Sequence, residues 1–378
     1  MAYLSGAGDT PFGRLEGSTA LSLMAQAAQG ALTDADLARS EVDGLLCGYA
    51  TTLPHLMLST VFAEHFGLRP SYAHAMQLGG ATGCAMIMLA RELVDAGRCR
   101  NVLVVAGENR LSGQKRDAAI QTLAQVGHPD YEVPFGPTIP AYYALVASRY
   151  MHEYGVSEAD LAEFAVLMRR HAAGHPGAHL REPFDVAAVL ESKVIAAPLK
   201  LLDCCPISDG AAALVVSREA RGDNCVRIAG AGQAHLHQHT SAITSVAEFG
   251  ARQAAGRALA EAHSGLKDID YLGVYDSFTI TLLILLEEIG VAGRGEAAAR
   301  LRSGDFAATG KLPLNTHGGL LSFGHCGVAG GMAHIVEAQR QLAGKAGMRQ
   351  AGERHRALLH GDGGVMSSHV SLVLQSDG

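Results

Sequence analysis

The stretch that decides the fold reads Asn315-Thr316-His317-Gly318-Gly319-Leu320-Leu321-Ser322-Phe323-Gly324-His325-Cys326-Gly327-Val328-Ala329-Gly330-Gly331. Six glycines crowd around His325, after a Pro-bounded extended stretch and before a helix expected from about Ala329. Glycine lets the backbone take positive φ and approach a ligand closely, at an entropic cost. A histidine held in such a turn exchanges protons near neutral pH. On these residues alone, the segment is either a strand-to-helix connection with an incidental histidine or a turn built to present one.

Outward from this segment, the chain repeats itself. Ala27–Leu32 followed by Glu41-Val42-Asp43-Gly44-Leu45-Leu46 matches Ala254–Leu259 followed by Asp268-Ile269-Asp270-Tyr271-Leu272-Gly273, at a constant offset of 227 residues. Each copy is an Ala-rich amphipathic helix, an acidic linker and an apolar strand. The period is too long for a solenoid, so two homologous halves are expected. Within each half, helical patterns alternate with short β-rich runs such as Val102–Ala106 and Ala212–Val216, the pattern of sheets covered by helices. The halves are expected at 1–222 and 223–378. An insertion from about Leu111 to Lys200 holds Pro134, Pro137 and Pro140, a helix around Tyr142–Glu153, and another opened by Ser157-x-x-Asp160, which resembles a capping box.

The 378 residues suffice for one or two domains with large cores, and 48% hydrophobic with 18% charged residues suits a compact α/β enzyme. A net charge of −7 argues against electrostatic nucleic-acid binding. No apolar run is long enough to span a bilayer, and the N-terminus lacks the regions of a signal peptide. A cytoplasmic protein is expected, with neither nucleic acid nor membrane as partner. The seven cysteines form no Cys-x-x-Cys pair, so neither a zinc site nor a disulfide framework is expected.

Asn-x-x-Gly-Gly followed by Gly-His-x-x-Gly resembles the histidine motif of the thiolase superfamily. Gly79-Gly80-Ala81-Thr82-Gly83, Asp209–Leu214, Tyr275-Asp276-Ser277-Phe278 and Gly361-Asp362-Gly363-Gly364 agree with it in family order across the chain. The resemblance is nearest to bacterial thiolases of the sterol-carrier-protein-linked type. It implies an α/β thiolase fold: two duplicated βαβαβαββ-type half-domains in an αβαβα layered arrangement, with a loop-domain insertion over the active site. Coenzyme A is implied as co-substrate with no tightly bound cofactor, and a homodimer or larger oligomer is implied. Relatives with these motif variants often pair with a small zinc-ribbon/OB-fold subunit and handle bulky, branched or aromatic acyl groups.

In the family, His325 corresponds to the histidine that activates a cysteine nucleophile. The expected nucleophile position is Gly80 here, and Cys84 lies one turn further along. Cys84 is therefore either a buried core thiol or a displaced nucleophile, since residues i and i+4 share a helix face and side chains lean toward the N-terminus. His360 stands where a second cysteine shuttles the α-proton; it is either a general base or a structural hydrogen-bonder after the strand Arg356–Leu359. Asp276 replaces the motif asparagine and is a candidate to orient His325 or His360, with Tyr275 as an alternative donor. His317 either lines the pocket or packs. The amides of Gly363 and Gly364 are the expected oxyanion donors, and no metal ligands are expected. Cys326 and the pair Cys204-Cys205 read as packing. The implied activity is CoA-dependent thiolytic cleavage of a 3-ketoacyl-CoA through an acyl-Cys84 enzyme, or the reverse Claisen condensation. Gly80 also suits a retro-aldolase acting on a β-hydroxyacyl-CoA without covalent catalysis, whereas His325 argues against it, since the resemblance implies a tyrosine at that position in the aldolases. A non-catalytic acyl-CoA or lipid carrier is the third reading.

Overall fold

The computed structural model describes residues 1–221 and 225–376, so the half-domain boundary expected at 222/223 lies outside the described residues. In chain order the first half comprises β1 (Tyr3–Asp9), α1 (Ala20–Asp34), β2 (Gly44–Gly48), α2 (Leu58–Phe66), β3 (Tyr72–Met76), α3 (Thr82–Asp95) and β4 (Asn101–Asn109). An inserted region follows, with α4 (Arg116–Ala124), α5 (Ile139–Tyr154), α6 (Glu158–Ala173), α7 (Val186–Glu191) and the hairpin β5 (Val194–Ala196) and β6 (Leu199–Lys200). β7 (Asp209–Ser217) returns to the main sheet. The second half comprises β8 (Val226–His235), α8 (Ala251–Glu261), β9 (Tyr271–Val274), α9 (Thr279–Ile289), α10 (Ala297–Arg302), α11 (Val328–Leu342), β10 (Arg356–Gly363) and β11 (Ser368–Ser376).

The strands run in the order β3-β2-β4-β7-β1-β8-β11-β10-β9. The duplication is visible in this order. Reading outward from the centre, β1-β7-β4-β2 pair antiparallel, antiparallel, parallel, and β8-β11-β10-β9 repeat the same sequence of pairings. The halves meet through a short pairing of Tyr3 with Arg227 and Leu4 with Val226. α1 covers β1, β7 and β4 on the outside of one half, and α8 covers β8 and β11 on the outside of the other. α3 and α11 pack on each other and against strands of both halves. The outcome is the five-layered αβαβα arrangement of the thiolase fold.

Close strand–helix approach is what the duplicated glycines and alanines encode. A Cβ at Gly6 or Gly8 would fall 2.3 Å from the carbonyl oxygen of Ala31 or Ala27. At Gly230 or Gly232 it would fall 2.2 Å from that of Ala258 or Ala254. The helix residues keep the sequence offset of 227; the strand glycines do not, so the second copy has a longer strand-to-helix connection. In the insertion, Ser157 Oγ accepts from Asp160 N–H, and Asp160 Oδ2 accepts from Ser157 N–H, so the capping box forms with aspartate. No helix among the described residues is long and apolar enough to cross a membrane.

Candidate active site

The site forms where the loop after β9, the start of α3, the end of β10 and the loop before α11 converge. Asn315, at φ +48°, fixes the first of these. Its Oδ1 accepts from Val274 N–H at 2.9 Å and its Nδ2 donates to Val274 O at 2.8 Å, so one side chain satisfies both backbone groups that the end of β9 leaves free. Tyr275 N–H then donates to His360 O at 2.9 Å. Between these clamps the Tyr275 side chain is directed across the start of α3.

There it fills the space over Gly80. A Cβ at Gly80 would lie 2.3 Å from both Cζ and Oη of Tyr275 and 2.4 Å from Asp362 O. No side chain fits at residue 80; the phenol stands in its place. Tyr275 Oη lies 3.0 Å from His325 Nε2. His325 itself is held by His325 N–H donating to Pro206 O and Ser208 N–H donating to His325 O. Gly327 N–H donates to His325 Nδ1 at 3.2 Å, so Nδ1 is an acceptor and the neutral ring carries its proton on Nε2. His325 therefore donates to Tyr275 Oη. Burial pushes His325 down to about 3, reinforced by the charge of Arg110, and burial raises Tyr275 well above the usual phenol range. At neutral pH both are uncharged.

Cys84 does not join them. It is 4% exposed, and a Cβ at Gly361 would sit 3.2 Å from its Sγ, so the thiol packs under β10 rather than over Gly80. Burial pushes it up to about 12, against the lowering effect of the Gly361 backbone. The expected reach of Cys84 into the Gly80 space fails because Tyr275 already occupies that space.

His360 is also outside the site. Strand residues alternate faces: Gly361 faces Cys84, so His360 and Asp362 face the other way. His369 Nε2 donates to Met366 O at 3.0 Å, which makes His369 Nδ1 an acceptor for His360 Nε2–H at 3.0 Å. His360 Nδ1 is left to accept from Ser371 Oγ at 2.7 Å. Both its nitrogens are used, and no lone pair remains for a substrate proton. Asp276 orients neither His325 nor His360. Its Oδ1 accepts from Leu320 N–H at 2.7 Å and lies 3.3 Å from His334 Nε2, so it anchors the glycine-rich segment from within. His317 is 2% exposed, stacked edge-on to His334 and Phe323, with neither ring nitrogen hydrogen-bonded. Gly363 and Gly364 close on the nucleophile-motif loop: a Cβ at Gly79 would be 2.7 Å from Gly364 N.

A model of the thiolase N-terminal domain matches residues 3–220, and a thiolase C-terminal domain-like model matches 232–376. The chain is an enzyme of the thiolase superfamily. It is 34% identical to a steroid side-chain-cleaving aldolase from Thermomonospora curvata, over 100% of this chain and 98% of the relative. It is 29% identical to an acetyl-CoA acetyltransferase from Methanothermobacter thermautotrophicus, over 97% of both. The solved Ltp2-ChsH2(DUF35) aldolase superposes with a TM-score of 0.86 at 31% identity, covering 100% of this chain and 98% of that one.

On this thiolase scaffold one further residue stands out that sequence reading missed. Arg110 follows β4 and is 6% exposed, with Nε unpartnered. The signal was available: a polar triplet with two charges, Glu108-Asn109-Arg110, follows the apolar run Val102–Ala106 after one glycine at the strand's C-terminal end, where α/β sheets bind ligands. Among the described residues no group of three or more His, Cys, Asp or Glu is arranged to hold a metal.

Proposed function

We propose that this enzyme cleaves the Cα–Cβ bond of a β-hydroxyacyl-CoA with a bulky, branched acyl group by a retro-aldol reaction, with Tyr275 and His325 as its catalytic pair. The observation that carries the reading is the Tyr275 hydroxyl over Gly80, bonded to His325 Nε2, where a thiolase would hold its thiol. The similarity to the T. curvata aldolase supports the same reading over thiolysis.

The chemistry follows from the hydrogen-bond direction. Nε2–H of His325 stabilises a phenolate at Tyr275, and the phenolate takes the β-hydroxyl proton. The Cβ–O bond becomes a carbonyl, the Cα–Cβ bond breaks, and its electron pair passes into the thioester enolate. The enolate oxygen is held by the amides of Gly363 and Gly364. Tyr275 then returns the proton to Cα, releasing a shortened acyl-CoA and a ketone or aldehyde. One proton is moved and no acyl-enzyme is formed. The two halves, 1–222 and 223–378, supply Gly80 on one side and Tyr275 and His325 on the other. A homodimer or larger assembly and a small zinc-ribbon/OB-fold subunit complete the proposal. Exposed Leu56, Met57, Tyr131 and Phe135 offer apolar surface for such contacts.

The test incubates the protein, with any co-purifying subunit retained, with branched β-hydroxyacyl-CoAs and 3-ketoacyl-CoAs, and follows products and protein by mass spectrometry. Carbonyl release from the hydroxyacyl substrate should survive Cys84→Ala and fall at least about 100-fold in Tyr275→Phe. An acyl adduct on Cys84, lost in Cys84→Ala together with CoA-dependent cleavage, would restore the thiolytic mechanism.

A further inference from the structure

We infer that Arg110 binds a carboxylate carried on the acyl group, so that the substrate is the CoA monothioester of a dicarboxylic acid. This rests on the acyl-CoA reading above and narrows its substrate class.

Arg110 carries a buried charge that no ion pair among the described residues meets. A guanidinium stays protonated at any ordinary pH and is costly to bury unless an anion or acceptors meet it. Arg110 is 6% exposed, and among the described residues no carboxylate comes within ion-pair distance and no hydrogen bond is made by its side chain. Glu108 is the carboxylate whose charge couples to it, yet one of its oxygens is committed elsewhere. Its Oε2 accepts from Thr51 N–H at 2.8 Å, from Thr51 Oγ1 at 2.5 Å and from Thr52 N–H at 3.2 Å. Its Oε1 is buried without a hydrogen-bond partner and faces Gly327, where a Cβ would lie 2.1 Å away. The protein leaves the guanidinium for something else.

Position says what that is. Arg110 directly follows Asn109, which pairs with Asp209 across β4 and β7, and the neighbouring Ser208 N–H donates to His325 O. The charge of Arg110 also acts on His325, so Arg110 sits on the His325 side of the catalytic pair. The phosphates of coenzyme A lie at the other end of the pantetheine arm from the thioester, so they are not the anion that meets a guanidinium here. A carboxylate on the acyl group is, and the planar fork of arginine receives it through two parallel N–H bonds. A neutral acyl chain would leave the buried charge unpaired, which gives the site a means of rejecting it.

The test measures binding by calorimetry to the whole protein, with any co-purifying subunit retained. Succinyl-CoA and adipyl-CoA are compared with butyryl-CoA and hexanoyl-CoA, which match them in carbon number and lack the second carboxylate. Wild type should bind at least one carboxylated ligand 10-fold or more tighter than its neutral counterpart. Arg110→Met should abolish that preference, so that the Kd values of each matched pair converge, and Arg110→Lys should keep part of it. Equal affinities in the wild type would overturn the inference, independently of how any variant folds. So would a preference that survives Arg110→Met. Failure of all four thioesters to bind would instead sink the acyl-CoA reading on which this one stands.

Discussion

Residue 80 decides which chemistry this scaffold can run. In the wild type the absence of a side chain admits the Tyr275 phenol, and a Cβ there would collide with Cζ, Oη and the Asp362 carbonyl at 2.3–2.4 Å. Restoring the thiolase cysteine by Gly80→Cys should therefore displace Tyr275, break its bond to His325 and overpack a buried site. A loss of about 1–3 kcal/mol in stability and at least about 100-fold in lyase rate is expected, read by chemical denaturation and steady-state assay. The rate's pH dependence belongs at the same scale. Burial raises the Tyr275 pKa, so its phenolate fraction grows with pH throughout the neutral range. The value of kcat/KM should climb about tenfold per unit from pH 6 to 9. His325 adds no acidic limb, because it stays neutral down to about 3. A bell centred near pH 6.5 would overturn this assignment. His325 was legible from its motif; Tyr275 ranked second because no spacing rule says that a phenol after β9 refills a gap in α3.

At the scale of elements, parity and backbone satisfaction explain what the sequence showed and concealed. The outer helices were readable because α1 and α8 each bury one face; the central α11 is buried almost all round, and it begins at Val328, beside the expected Ala329. Of the two readings open for His360, strand parity favours the structural one: across Arg356–Gly363, Gly361 and Gly363 face the α3 side, so their neighbours cannot. Asp276, a candidate to orient His325 or His360, instead bonds the backbone. The segment Gly319–Phe323 is a π-helical turn, whose leading N–H groups lack partners within the turn, and the Asp276 carboxylate receives that of Leu320. Asp276→Ala should leave this buried donor without an acceptor and cost about 1–3 kcal/mol. Asp276→Asn keeps one carbonyl oxygen and should recover most of it. Because the turn leads into His325 two residues on, the alanine variant should also lower kcat more than it raises KM. A variant as stable as the wild type would show that the carboxylate is dispensable.

Over the whole molecule, the five layers are held by α3 and α11 in the middle, while α6 of the insertion rests on the glycine-rich segment of the second half. A Cβ at Gly318 would meet Ala172 of α6 at 2.5 Å, which is how closely the two are seated. That seam is lined by imidazoles. His171 lies with Nδ1 3.3 Å from Asn315 O and its Nε2 unpartnered, and His317, His334 and His175 surround Phe323 and one another. Such a seam is invisible in the sequence, because the four residues are brought together from α6, the loop after it, the motif turn and α11. Burial lowers His171 to about 4 and His175 to about 4. Both values lie below the unfolded value of about 6.5, so the unfolded chain binds more protons and stability rises with pH. The stabilisation of each neutral imidazole is fully present above about pH 6.5 and is lost as pH falls toward 4, about 2 kcal/mol per residue between pH 7 and 5. Buried carboxyls such as Asp276, whose pKa burial raises, act in the opposite direction, so the raw melting curve is not the test. The difference between wild type and His171→Gln is, because groups common to both cancel. On moving from pH 7 to pH 5 the variant should gain about 2 kcal/mol relative to wild type in denaturant unfolding. A difference independent of pH would mean that His171 is already solvated, and that α6 does not seal the seam against protons.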